Sequence, residues 1–214
     1  MTVIFVTAHD VATQSNLIVA QNMSATADLS LFAQDATRAQ LYGSLNPQTD
    51  RTIFVMTHGG KNAVFDNNCM PAIDAADGDA LSGYKIFAWA CHTGASLGFS
   101  MAQQGVTWWG YDCAVTAPDG RASFAGIFAQ IFATAKSQFP KGIDPSSIAA
   151  VLEEIRLACE VALLQFDQLG AQDDDESFSL YSCCNQLWQR LSVWLSGQNK
   201  PNRHVLAPPA YIDI

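Results

Sequence analysis

A chain of 214 residues, 49% of them hydrophobic, has enough apolar material for a substantial buried core. Only 14% of the residues are charged, which excludes a disordered composition. The net charge is -9 and the eleven Lys and Arg are scattered, so no basic face is available to nucleic acid or to an anionic membrane. The first apolar run has no basic stretch before it and is too short for a signal peptide or a membrane span. Cys69, Cys91, Cys113, Cys159, Cys183 and Cys184 form no CxxC pairs, which argues against a zinc cage or a disulfide framework. A soluble protein of the reducing cytoplasm is expected.

In chain order, residues 2–8 read as a first buried strand, and residues 28–42 as a helix after it. Residues 52–57 form a second, almost continuously apolar strand. The segment 60–84 is rich in Asp, Asn and Gly and reads as a loop over a cleft, open to ordering by a protein partner or to cleavage during activation. Its run from Asp74 to Asp79 lacks the EF-hand spacing and the closing Glu, so it reads as a polar loop; no metal and no other cofactor is expected. Residues 85–90 are a third strand, 95–104 a helix, 106–111 a fourth strand and 121–138 a helix.

After Pro140 the pattern turns helical. Apolar residues recur at helical spacing over 146–168 and again over 177–195. The acidic turn Asp173-Asp174-Asp175-Glu176 suits the start of the second of these helices. Residues 197–214 read as an extended, Pro-rich tail. The alternation of strands and helices predicts an α/β fold: a three-layer α/β/α sandwich with a mostly parallel central sheet, a C-terminal helical part over 146–196, and one domain over 1–214.

Two strand ends carry the residues with chemistry. Strand 52–57 runs into His58-Gly59-Gly60, and strand 85–90 runs into Cys91-His92-Thr93-Gly94. In an open parallel sheet ligands bind beyond the carboxyl ends of the strands, so His58 and Cys91 are placed to converge on one substrate bond. Gly59 and Gly60 permit close backbone approach, and a helix from about Gly94 would favour a thiolate at Cys91. His92 should point away from the site, and His9 reads as a surface or cleft-lining residue.

The segments Ile53-Phe54-Val55-Met56-Thr57-His58-Gly59-Gly60 and Ile86-Phe87-Ala88-Trp89-Ala90-Cys91-His92-Thr93-Gly94 resemble the caspase-like cysteine peptidases, most closely the bacterial CHAT and separase-like branch. The resemblance spans roughly residues 50–165. It implies Cys91 as nucleophile and His58 as the acid/base that protonates the leaving amine and then activates water. It also implies an oxyanion held by the amide of Gly59, with that of Cys91 as a second donor, and a protein or peptide as substrate. The position two before the nucleophile lines the substrate pocket in that family. Here it is Trp89, which suits an uncharged side chain, whereas Asp112 offers a carboxylate for a basic one. Two other readings stand beside this one. Gly94-Ala95-Ser96-Leu97-Gly98 matches the nucleophile elbow of a serine esterase, with His204 as its base. A catalytically silent caspase-like interaction module is the other.

Overall fold

The computed structural model describes residues 1–46, 51–171 and 177–209; the acidic turn at 173–176 and the end of the tail lie outside them. Its centre is a six-stranded sheet. Strands β1 (Thr2–Val6), β2 (Leu29–Phe32), β3 (Thr52–Met56), β6 (Lys85–Trp89), β7 (Thr107–Tyr111) and β8 (Leu191–Trp194) stand in the order β2-β1-β3-β6-β7-β8. The first five are mutually parallel and β8 pairs antiparallel with β7. A separate antiparallel hairpin, β4 (Ala63–Phe65) with β5 (Pro71–Asp74), follows β3.

Successive strand residues face opposite sides, and both sides are dry. Ile4, Val6, Phe54, Met56, Phe87, Trp89, Trp109 and Tyr111 pack on one face against α1 (Val11–Met23), α4 (Ala122–Gln138), α5 (Pro145–Gln168) and α6 (Ser177–Gln189). Phe5, Ile53, Val55, Ile86, Ala88 and Trp108 pack on the other against α2 (Arg38–Ser44), α3 (Ser96–Gln103) and the hairpin. An α/β protein with helices on both faces of a mostly parallel sheet is compatible with the three-layer sandwich. Among the described residues no helix is long and apolar enough to cross a membrane.

Three segments differ from the sequence reading. Residues 28–42 are not one helix: Leu29–Phe32 pairs in register with β1, and only Arg38–Ser44 is α-helical, capped by the Thr37 side chain. The helix over 177–195 stops at Gln189, because Leu191–Trp194 joins the open edge of β7. The loop over 60–84 contains the β4–β5 hairpin, folded back so that the Phe65 N–H donates to the His58 carbonyl at 3.0 Å. Helix α1, with its many Asn and Gln, is an addition to the sequence reading. Its start is marked by a capping box in which Asp10 accepts from the Thr13 N–H at 2.9 Å.

The chain leaves β1 to build β2 on one side, then returns to place β3 on the other. The carboxyl ends of β1 and β3 therefore flank the topological switch point, where open α/β sheets form their ligand crevice.

Candidate active site

Register brings the two key residues together. Met56 pairs with Trp89, and the Thr57 N–H still donates to the Trp89 carbonyl at 3.3 Å, so His58 and Cys91 leave adjacent strands at the same level. Strands are about 4.8 Å apart, within reach of two converging side chains. Both line one small cavity with Thr13, Asn16, Thr57, Trp89 and Val115. Its volume of about 90 Å³ leaves room for about three waters, not for a large side chain.

The end of β3 is fixed from both sides. The Thr7 and Thr57 hydroxyls share a hydrogen bond of 2.8 Å, and the Thr57 hydroxyl donates to the Phe65 carbonyl at 2.8 Å. His58 then meets Asp10, the residue that caps α1, with Nε2 at 2.5 Å from the carboxylate Oδ2. The other oxygen, Oδ1, takes the Thr13 N–H and hydroxyl at 2.9 and 2.8 Å. One carboxylate thus starts a helix and orients the imidazole. Burial pushes its pKa up, but the donors from Thr13 and His58 outweigh that and hold it well below the usual carboxylate range. An ionised Asp10 keeps the proton on Nε2 and leaves Nδ1 as the nitrogen able to exchange a proton. Asp10 escaped the sequence reading; a His-Asp pair at a strand end three residues before Thr13 was the available signal.

Cys91 opens a turn. His92 adopts a left-handed φ of 60° and donates its N–H to the Cys113 carbonyl at 2.9 Å, reversing the chain immediately after Cys91. Helix α3 begins only at Ser96, and its early amides are committed: Leu97 donates to the Lys61 carbonyl and Gly98 to the Thr93 carbonyl. The donor that reaches the sulfur is instead the Val115 N–H, 3.3 Å from Sγ. Val115 belongs to the segment following β7, which Thr116 anchors to α6: its N–H donates to the Gln186 side-chain oxygen at 2.7 Å and its hydroxyl lies 3.1 Å from that of Ser182. The segment beside the thiol is therefore the one with Val115 and Ala117; no residue of 60–84 lines the cavity, because the hairpin packs on the opposite face of the sheet.

Gly59 sits where no side chain fits. A Cβ there would lie 2.6 Å from the Cys91 carbonyl oxygen and 2.8 Å from both Ala90 Cβ and Thr93 Cγ2. Its neighbours His58 and Gly60 bond to β4, so strand alternation turns the Gly59 N–H to the opposite side. Among the described residues no hydrogen bond engages the amides of Gly59 or Cys91.

The remaining sequence-predicted residues sit elsewhere or act differently. Trp89 lines the cavity but is 1% exposed, locked edge-to-face against Tyr111 and Phe132 at 4.8 and 5.2 Å. Asp112 is not among the cavity residues; Arg203 Nη1 donates to its Oδ2 at 3.0 Å. A carboxylate already paired in this way has little to offer a basic substrate. Ser96 is exposed at the start of α3. His204 is buried, with Nε2 2.8 Å from Glu153 and Nδ1 accepting from the Leu206 N–H, and shares no hydrogen bond with Ser96 among the described residues. His9 is exposed beside His58, their ring centres 5.0 Å apart.

No protein-family model matches the chain, and neither the curated proteins nor the solved structures include a match to it.

Proposed function

We propose that the chain is a caspase-like cysteine endopeptidase of the cytoplasm, with Cys91 as nucleophile, His58 as acid/base and Asp10 as the residue that orients His58. The observation carrying this reading is the shared cavity of His58 and Cys91 at the carboxyl ends of adjacent parallel strands, with Asp10 bound to Nε2 of the imidazole. His58 takes the Cys91 proton, and the thiolate adds to the substrate carbonyl carbon. The Gly59 and Cys91 amides receive the oxyanion. Collapse forms a thioester and expels the amine, protonated by His58. Water, deprotonated by His58, then cleaves the thioester and restores the thiol.

The cover near Val115 supports a resting enzyme whose turnover is low but measurable until it is activated, because a peptide must displace that backbone to lie across the sulfur. A protein partner that pulls on α6 or on 113–117 fits the role of activator. The mouth beside Trp89 favours an uncharged side chain before the cut, since Asp112 is held by Arg203.

Iodoacetamide, which unlike a peptide need not lie across the Val115 backbone, tests the reading. Burial and Asp112 push the Cys113 thiol up to about 11, and Cys159 and Cys183 are also raised, the former by the Cys184 contact and burial, the latter by burial. Those sulfurs should stay unlabelled, and the informative contrast is Cys91 against the exposed Cys69. Cys91 should react much the faster, and His58→Ala should abolish the difference. Equal rates at Cys69 and Cys91 in the native protein would rule the mechanism out.

A further inference from the structure

Beside the cavity, on the solvent side of His58, three ligand-type side chains converge. Ligand atoms of His9, Asp10 and His58 all lie within 4.8 Å of one another. His58 Nε2 is 2.5 Å and His9 Nε2 is 3.8 Å from the same oxygen, Asp10 Oδ2. A tetrahedral zinc ion, with bonds of about 2.0–2.2 Å, spaces its ligand atoms by about 3.3 Å. The observed separations bracket that value, so side-chain rotations of about 1 Å suffice to seat the ion.

The supporting contacts also fit. Asp10 Oδ1 is anchored by Thr13, which presents Oδ2 outward in a fixed direction, the arrangement that outer partners give to metal-binding carboxylates. Two imidazoles and one carboxylate are a donor set for zinc or a neighbouring late transition metal, and a poor one for calcium or magnesium. The cluster lies at the switch point between β1 and β3, open to solvent, so an ion has a path in.

We propose that His9, Asp10 and His58 bind one zinc-class divalent ion, and that this ion silences the peptidase by occupying His58. Binding moves the His58 proton from Nε2 to Nδ1, so that the imidazole stays neutral, and the metal bonds to the two imidazole nitrogens and one carboxylate oxygen. Water completes the tetrahedron. An imidazole tied to the ion can neither turn nor shuttle the Cys91 proton, so metal and catalysis exclude each other. The silencing rests on the peptidase reading; the site itself does not.

The test separates the two. Metal-free protein is titrated with Zn²⁺ by calorimetry and with Co²⁺ by visible absorption, neither of which needs activity. One equivalent should bind, with the intense visible bands of tetrahedral Co²⁺. His9→Ala should weaken binding at least tenfold, Asp10→Asn likewise, and Cys91→Ala should leave it unchanged. Turnover of a peptide substrate should fall with the same midpoint as zinc binding, and the His9→Ala enzyme, with its basal rate kept, should need at least tenfold more zinc. No stoichiometric binding, or binding indifferent to His9→Ala, overturns the site. Binding that depends on His9 but leaves turnover intact overturns the silencing. If turnover is absent with and without metal, the peptidase reading falls while the titrations still decide the site.

Discussion

Asn is as good a helix cap as Asp but carries no charge, which makes Asp10→Asn an informative single change. The cap of α1 should survive, shifting the melting temperature little, while turnover drops at least tenfold because the imidazole is no longer held in one tautomer by an anion. Asp10→Ala, by contrast, should lose about 1 kcal/mol of stability as well. Gly59 responds through space instead of charge. The Cβ of Gly59→Ala would sit 2.6 Å from the Cys91 carbonyl, forcing the two strand ends apart. A loss of about 1–3 kcal/mol is expected on chemical denaturation, with turnover falling further than the stability does. His58→Ala and Cys91→Ala should each reduce turnover by orders of magnitude, and the double variant should be scarcely worse, since the pair acts as a unit. Additive losses would mean that His58 and Cys91 work separately.

Contacts between elements decide where the less regular parts of the fold go. Asp28, just before β2, accepts a hydrogen bond from Lys136 near the end of α4 and another from the Ala25 N–H at 3.0 Å; both charged side chains are about nine-tenths covered. Burial pushes the Asp28 pKa up, but Lys136 and the Ala25 amide outweigh it and hold the carboxyl below its usual range. A folded-state pKa below the unfolded value, about 3.9, means that the ionised form contributes stability above that value. The contribution is lost as pH falls through the folded pKa. Asp28→Asn should therefore cost about 1–3 kcal/mol near neutral pH, and urea denaturation at about pH 3 should show a smaller gap from wild type. The same dependence on distant partners explains what the sequence left hidden. The buried strands β1, β3 and β6 were legible because almost continuous apolar runs record burial on both faces, β7 was read from a run interrupted by Thr107 and Gly110, and His58 and Cys91 were legible as the polar residues beyond the ends of β3 and β6. Leu29–Phe32 and Leu191–Trp194 are strands only because β1 and β7 offer open edges, and nothing local in Leu187, Leu191 and Leu195 distinguishes that outcome from a continuing helix. Asp10 was hidden for a related reason: its helix-capping role is local, but its approach to His58 depends on β1 and β3 being neighbours.

Across the whole molecule the C-terminal segment ties the layers together. Asn202 exchanges two backbone hydrogen bonds with Val193, Arg203 pairs with Asp112, and His204 bridges to Glu153 on α5. Arg203 and Asp112 are 15% and 9% exposed, so removing one charge strands the other. Arg203→Met should cost about 3 kcal/mol, and adding Asp112→Asn should restore part of it in a double-mutant cycle; full additivity would show that the pair is uncoupled. The placement of β8 also sets an order on biosynthesis. Strand β7, with Trp108 and Trp109, emerges from the ribosome long before Leu191–Trp194 can bond to it. Throughout the synthesis of α4, α5 and α6, the nascent chain carries an apolar strand with one unpaired edge, open to the wrong neighbour on a crowded polysome. The growing chain is thus most in need of a chaperone during that interval, which ends when the last strand arrives.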